Sequence, residues 1–262
     1  KCWYKNNLSS KIQSILLFPL SLLWILISFL KKIFVKKYKS KLKVICIGNL
    51  TVGGTGKTPF AIYTFKFLEK LGYKPVFLTR GYGGLLKGPI EVKDTHKFKE
   101  VGDEALLLNK VGPTIVSKNR SLGAKLIENH ESDFNIIIMD DGLQNYQLKQ
   151  DIKFLLIDKN LKFGNEFCIP AGPLREPINQ ALLGIDAIVL TGNESKDTDL
   201  YKVYNKIIFN PQIKTKKSPK IKNDKLLAFC GLANAIKFYE TLKANGFNVM
   251  YTKSFPDHYE YK

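Results

Sequence analysis

The chain has very little arginine. Of its 41 Lys and Arg residues only Arg80, Arg120 and Arg175 are arginine, so the formal charge of +18 is almost entirely a lysine charge. Proteins that read nucleic-acid sequence depend on the planar guanidinium for bidentate contacts to bases and phosphates, and this bias argues against a nucleic-acid partner. Paired cysteines are lacking too. Cys2, Cys46, Cys168 and Cys230 form no C-x-x-C pair and have no His at ligand spacing, which speaks against a structural zinc site and suits a reducing, cytosol-facing compartment. Acidic residues are absent from positions 1–43, which carry ten lysines. No internal repeat or low-complexity tract is present, so a solenoid is excluded. With 262 residues, 45% of them apolar and 12% aromatic, the chain is long enough for one large α/β domain with or without a smaller companion.

The most informative stretch is 44–59, VICIGNLTVGGTGKTP. A short β-branched run leads into a glycine-rich turn, and Gly56-Lys57-Thr58 opens an apolar helical pattern over 60–71. Such a strand-loop-helix holds polyphosphate for physical reasons. Glycines let successive backbone N–H groups converge on anionic oxygens, the helix N-terminus adds partial positive charge, and a Lys ammonium reaches the outer phosphates. The hydroxyl after the Lys is placed for Mg²⁺. The strict G-x-x-x-x-G-K-[ST] expression fails at its first position, where Thr51 stands in place of Gly, while Gly53 and Gly54 lie inside the loop. A plain connecting turn would not require Lys57 and Thr58.

Upstream, residues 15–30 (ILLFPLSLLWILISFL) are apolar nearly all round and interrupted only by Pro19, Ser21 and Ser28. At ~1.5 Å per residue the run is shorter than a ~30 Å hydrocarbon core, so the flanks decide more than the length. It ends in Leu-Lys-Lys instead of a small-residue cleavage site. This predicts an uncleaved helix anchored in, or lying along, a membrane surface, with the lysines and the following domain on the cytoplasmic side. The rival reading is a buried core helix, which seldom needs a lysine belt.

Downstream, PVFL (75–78) reads as a strand feeding Thr79-Arg80-Gly81-Tyr82-Gly83-Gly84, a ligand-facing arrangement at a strand's carboxyl end. Residues 96–100 read as a surface loop, and Gly102-Asp103-Glu104 as the cap of a helix over 105–111. By its residues alone Asp103 is most simply an N-cap. FNIIIM (134–139) is a buried strand ending in Asp140-Asp141-Gly142-Leu143-Gln144, where a carboxylate would join the Mg²⁺ shell. Two adjacent acids repel, and a cation relieves that repulsion. IKFLLID (152–158) and AIVL (187–190) are further strands, and PAGPLREP (170–177) is an ordered loop. Strands alternating with helical segments predict a parallel, doubly wound sheet. After a basic linker at 214–224, residues 226–252 read as strand, helix and strand, a small second α/β unit. FPDHY follows, where His258 suits either acid/base chemistry or a structural role. The first residue is Lys and the chain stops just after FPDHYEYK, so a longer parent chain is expected.

The order of motifs now carries a resemblance. An apolar N-terminal helix, then GNLTVGGTGKTP, TRGYGG, VGDEALLL, DDGLQ, PAGPLRE and FPDHY closely resemble the tetraacyldisaccharide 4′-kinase (lipid A 4′-kinase, LpxK) family, from about residue 15 to 259, and the P-loop with Thr51 is that family's form. The resemblance implies ATP-dependent phosphorylation of the 4′-hydroxyl of tetraacyldisaccharide 1-phosphate, giving lipid IVA at the cytoplasmic face of the bacterial inner membrane, with ATP and Mg²⁺ as cofactors and no obligate protein partner. It implies that Thr51, Val52, Gly53, Gly54, Thr55, Gly56, Lys57 and Thr58 bind the nucleotide, with Lys57 on the outer phosphates. Thr58, Asp140 and Asp141 would serve the metal. Asp103 would be the general base with His258 its partner, which reverses the cap reading, and Arg80, Tyr82 and Gln144 would face substrate. Ala105 stands where the family usually has Pro. The expected organisation is a membrane helix and basic flank (1–40), a P-loop kinase domain (41–198) and a smaller α/β domain (199–262). The rivals are another membrane-associated P-loop ATPase or GTPase, and a basic membrane-tethered binding protein without catalysis.

Overall fold

The structure is a computed structural model, and it describes residues 2–4, 7–192, 204–211, 225–231 and 235–256. Two compact units divide at Pro211 and Gln212. The first is built on an eight-stranded sheet in the order β3-β4-β2-β5-β1-β6-β7-β8. Its strands are β1 (Lys43–Asn49), β2 (Pro75–Thr79), β3 (Ile90–Glu91), β4 (Thr114–Val116), β5 (Ile136–Asp140), β6 (Ile152–Asp158), β7 (Ala187–Thr191) and β8 (Ile207–Phe209). All pairings are parallel except β3 with β4.

Largely apolar runs make the central strands, because both faces of the sheet are covered. Val44, Cys46, Val76, Ile137 and Met139 face one buried cluster, and Ile45, Ile47, Phe77, Ile138 and Leu156 face the other. Helix α2 (Lys57–Lys70) covers the second face with Ala61, Phe65 and Leu68. Helices α3 (Phe98–Val101), α4 (Asp103–Asn109), α5 (Arg120–Glu128) and α6 (Ile178–Leu182) complete the layer pattern. Strand β1 lies between β5 and β6. The chain leaves β1 for one side of the sheet and later fills the other, so the loop after β1 sits at a topological switch point, where open α/β sheets bind ligands.

Several boundaries differ from the sequence reading. Residues 96–100 are not wholly loop, since α3 forms one turn there. The second unit begins at Gln212 and not at 199, because β8 adds its backbone to the edge of β7. That unit, in its described part, is β9 (Leu226–Cys230), α7 (Ala235–Ala244) and β10 (Val249–Ser254), with β9 and β10 parallel. The linker at 214–224 lies outside the described residues.

The N-terminal helix α1 (Leu8–Phe34) has 27 residues, about 40 Å at ~1.5 Å per residue. It is longer than the apolar run alone predicted, and by length and composition it could cross a membrane. Its packing is inverted relative to an ordinary surface helix. Ser10, Ser14 and Ser21 are buried, whereas Leu8, Leu16 and Phe34 are 74%, 73% and 80% exposed. The serines recur at helical spacing and form the docked face. Most of the apolar side chains point outward, while Ile25 packs against the core.

Candidate active site

The phosphate loop takes its shape from side chains as well as glycines. Gly56, with a φ of +84°, precedes the first turn of α2 and leaves its N–H groups without a side-chain cap. Asn49 at the end of β1 donates from Nδ2 to the carbonyls of Thr51 (2.8 Å) and Gly53 (3.2 Å). Thr51 lies in an antiparallel bridge with Leu174, and the Val52 N–H donates to the Pro173 carbonyl at 2.8 Å. Thr51 therefore has extended, paired backbone that needs no glycine. This explains physically how the loop departs from the strict expression.

Asp140 and Asp141 have separate surroundings. Asp140 ends β5, is 1% exposed, and accepts from Thr58 Oγ1 at 3.0 Å through Oδ2. Its Oδ1 is buried without a partner. Burial, with the nearby charges of Glu104 and Asp141, pushes its pKa up to about 7, against the lowering influence of Lys57 and Thr58. Asp141 adopts a positive φ of 51°, which turns its carboxylate away. Arg175 grips it with two hydrogen bonds, 2.7 and 3.3 Å, and Lys57 Nζ lies 3.8 Å away. Burial alone would raise the Asp141 pKa, but Lys57 and Arg175 outweigh it and hold the carboxyl below its ordinary value. Protein cations thus relieve much of the repulsion between the adjacent acids.

A hard divalent cation fits the Thr58 hydroxyl and Asp140. Mg²⁺ sites commonly use one or two protein oxygens and take the rest from water and substrate phosphate. Asp140 Oδ1 is the unsatisfied buried oxygen such an ion would complete. Lys57 meanwhile also donates to Asn49 Oδ1 at 3.3 Å, so its ammonium is held at the loop by two partners.

Asp103 is the first residue of α4, exposed, and its Oδ1 accepts from the Glu104 N–H at 2.9 Å. It is not the N-cap. That position belongs to Gly102, with a φ of +87°. Glycines explain how this acid meets the TRGYGG loop: a Cβ at Gly102 would stand 2.3 Å from the Tyr82 carbonyl, and one at Gly84 would stand 2.6 Å from the Glu100 carbonyl. The two loops pack backbone to backbone, reinforced by Leu85 N–H to Lys99 O and Leu86 N–H to Glu100 O. Arg80 and Tyr82 are exposed and line a concave surface with Lys87 and Lys118. Gln144 is engaged within the protein, bridging Asn49 O, Glu176 and Arg175. His258 lies outside the described residues.

Sequence reasoning missed four residues. Asn49 and Thr191 shape the loop, the latter donating to the Thr55 carbonyl at 2.9 Å. Arg175 reads in the sequence only as part of a loop. Arg120, at the start of α5, is 2% exposed with Nε unpartnered, and burial lowers its pKa to about 10. Its signal was available, because only three arginines occur and each must be placed. Among the described residues the orphaned buried polar atoms belong to Thr55, Arg120 and Asp140. Two of these are on the phosphate loop and the adjoining strand end, where an anionic ligand and its cation would supply partners.

A parallel sheet with a phosphate loop at its switch point, a hydroxyl-carboxylate pair beside it and a lysine within reach defines a P-loop nucleotide-binding protein of the doubly wound class. The chain matches the family model for tetraacyldisaccharide-1-P 4′-kinase (LpxK) over residues 13–262, and it belongs to that family. It is 41% identical over 263 residues to the tetraacyldisaccharide 4′-kinase of Rickettsia bellii, covering all of this chain and 79% of that protein. With the enzyme of the same name from Francisella tularensis subsp. novicida it shares 37% over 281 residues, covering 100% and 86%. Its fold is similar to the crystal structure of LpxK from Aquifex aeolicus in complex with ATP, with a TM-score of 0.74 and 29% identity over 94% of this chain and 82% of that one.

Proposed function

We propose that this protein transfers the γ-phosphate of ATP to the 4′-hydroxyl of tetraacyldisaccharide 1-phosphate at the cytoplasmic face of the bacterial inner membrane. The observation that carries this reading is the pairing of Thr58 Oγ1 with a half-satisfied, buried Asp140 beside Lys57, in a chain of this family. Backbone N–H groups of residues 53–58 receive the phosphates, and Lys57 exchanges its Asp141 and Asn49 partners for the outer phosphate oxygens. Thr58 and Asp140 would hold Mg²⁺, which would supply charge neutralisation for the transferring phosphoryl group. Arg175 keeps Asp141 charged and fixed when Lys57 leaves it.

Asp103 accepts the proton of the attacking hydroxyl, and its place on α4 beside the TRGYGG loop supports that role. His258 is assigned as its assistant on the resemblance alone. Arg80, Tyr82, Lys87 and Lys118 offer a cationic concavity that suits the sugar-phosphate head. The outward leucines of α1 hold the protein on the bilayer, so the acyl chains need not leave the lipid. Neither nucleic acid nor an obligate protein partner is required by this scheme.

Incubation with Mg-ATP and the lipid in detergent micelles, followed by a search for the bisphosphorylated product, tests the reading. ATP binding without any lipid phosphorylation overturns it. Hydrolysis indifferent to lipid would instead indicate a P-loop ATPase.

A further inference from the structure

Arg175 touches three parts of the molecule at once. Its carbonyl accepts from Trp24 Nε1 of α1 at 2.9 Å. Its N–H donates to the Leu50 carbonyl, at the base of the phosphate loop, at 2.7 Å. Its guanidinium grips Asp141, which also faces Lys57. The rest of the 165–175 segment is held in the same two-sided way. On the helix side, Ser21 Oγ donates to the Cys168 carbonyl at 2.7 Å and accepts from the Ala171 N–H at 3.1 Å, and Asn165 Nδ2 donates to Ser14 Oγ at 2.9 Å. On the loop side, Pro173 and Leu174 pair with Val52 and Thr51.

We propose that Trp24 and Ser21 are positioning residues for phosphoryl transfer, acting through the 168–175 segment and Arg175 to fix the phosphate loop and the acidic pair. The segment is rich in Pro and Gly and has no helix; inside it a single bridge joins Cys168 to Leu174, and both side chains pack into the core. Beyond that anchorage, its backbone is clamped between the phosphate loop on one side and α1 on the other. Ser21 is 1% exposed, so bulk water does not reach its hydroxyl. Trp24 presents an N–H to a carbonyl whose own residue carries the guanidinium, so a displaced helix displaces the Arg175 backbone. Neither Trp24 nor Ser21 touches the reacting atoms. Ser21 lies off the outward face, and Trp24, 39% exposed, keeps its ring when only the N–H is removed, which separates this role from attachment to lipid.

The proposal rests on the kinase reading, and its test separates the two. Trp24→Phe keeps the ring and removes the N–H; Ser21→Ala removes the hydroxyl. In the full chain, each variant is expected to lower kcat by about 10- to 100-fold, the scale of a misplaced catalytic constellation. The KM for the lipid acceptor and binding to phospholipid vesicles remain at the parent's values. Amide hydrogen exchange over residues 50–58 is faster in both variants than in the parent. Unchanged exchange over 50–58 overturns the proposal, as does a fall in activity matched by an equal loss of vesicle binding, which would reduce α1 to an anchor. If the parent itself fails to phosphorylate the lipid, the kinase reading fails, and exchange over 50–58 still decides this one.

Discussion

Asp140 is ionised only against the resistance of its surroundings, since its carboxylate is 1% exposed and half unpartnered. Its folded pKa of about 7 lies above the ordinary 3.8. The folded state therefore holds an extra proton between those values, and its stability falls as pH rises through that window. In nucleotide-free protein, Asp140→Asn is expected to flatten this part of the Tm profile. At pH 8 it should raise Tm by about 2–4 °C for each kcal/mol of relieved desolvation, measured by thermal unfolding from pH 5 to 8. The same variant should lose at least about 100-fold in phosphoryl transfer. Asp103→Ala should cut turnover by about 10²–10⁴-fold while leaving ATP affinity near the parent's, and an unchanged rate would end its candidacy as base. Gly102→Ala places a Cβ 2.3 Å from a carbonyl at a φ of +87°. It should cost about 1–3 kcal/mol, read as a lower denaturation midpoint.

At the scale of elements, much was legible from periodicity. The strand β6 matches the predicted 152–158, because an apolar run bounded by polar residues leaves little choice of register. What escaped notice were short pieces whose stability is tertiary. Strand β4 has three residues and β8 three, and each exists because a neighbouring strand offers an unpaired edge. In α1, Ser21 and Ser28 read as interruptions of an apolar run, yet Ser21 marks the side that docks. Hydrophobicity alone cannot say which face of such a helix meets protein. Deleting residues 1–39 should release the protein from vesicles in a flotation assay, and persistent binding would reveal another attachment surface. The acidic pair stands out in the sequence, but its partition between Thr58 and Arg175 depends on a backbone φ that no pattern encodes.

At the scale of the whole molecule, a charge of +18 on 262 residues sets up a field that favours anionic lipid and ATP alike. Raising ionic strength from 0.01 to 1 M shortens the screening length from about 30 to about 3 Å. The kcat/KM for the lipid should then fall by about tenfold or more, with kcat at saturation much less affected. Helix α1 has a practical consequence for the whole chain. It holds the domain with hydroxyls and an indole N–H and turns Leu8, Leu16, Leu23 and Leu26 outward. These outward leucines are therefore distinct from the side chains that grip the domain. Recoding those outward leucines as glutamine would give a water-soluble reagent with an undisturbed phosphate loop, suited to crystallisation and inhibitor screening without micelles.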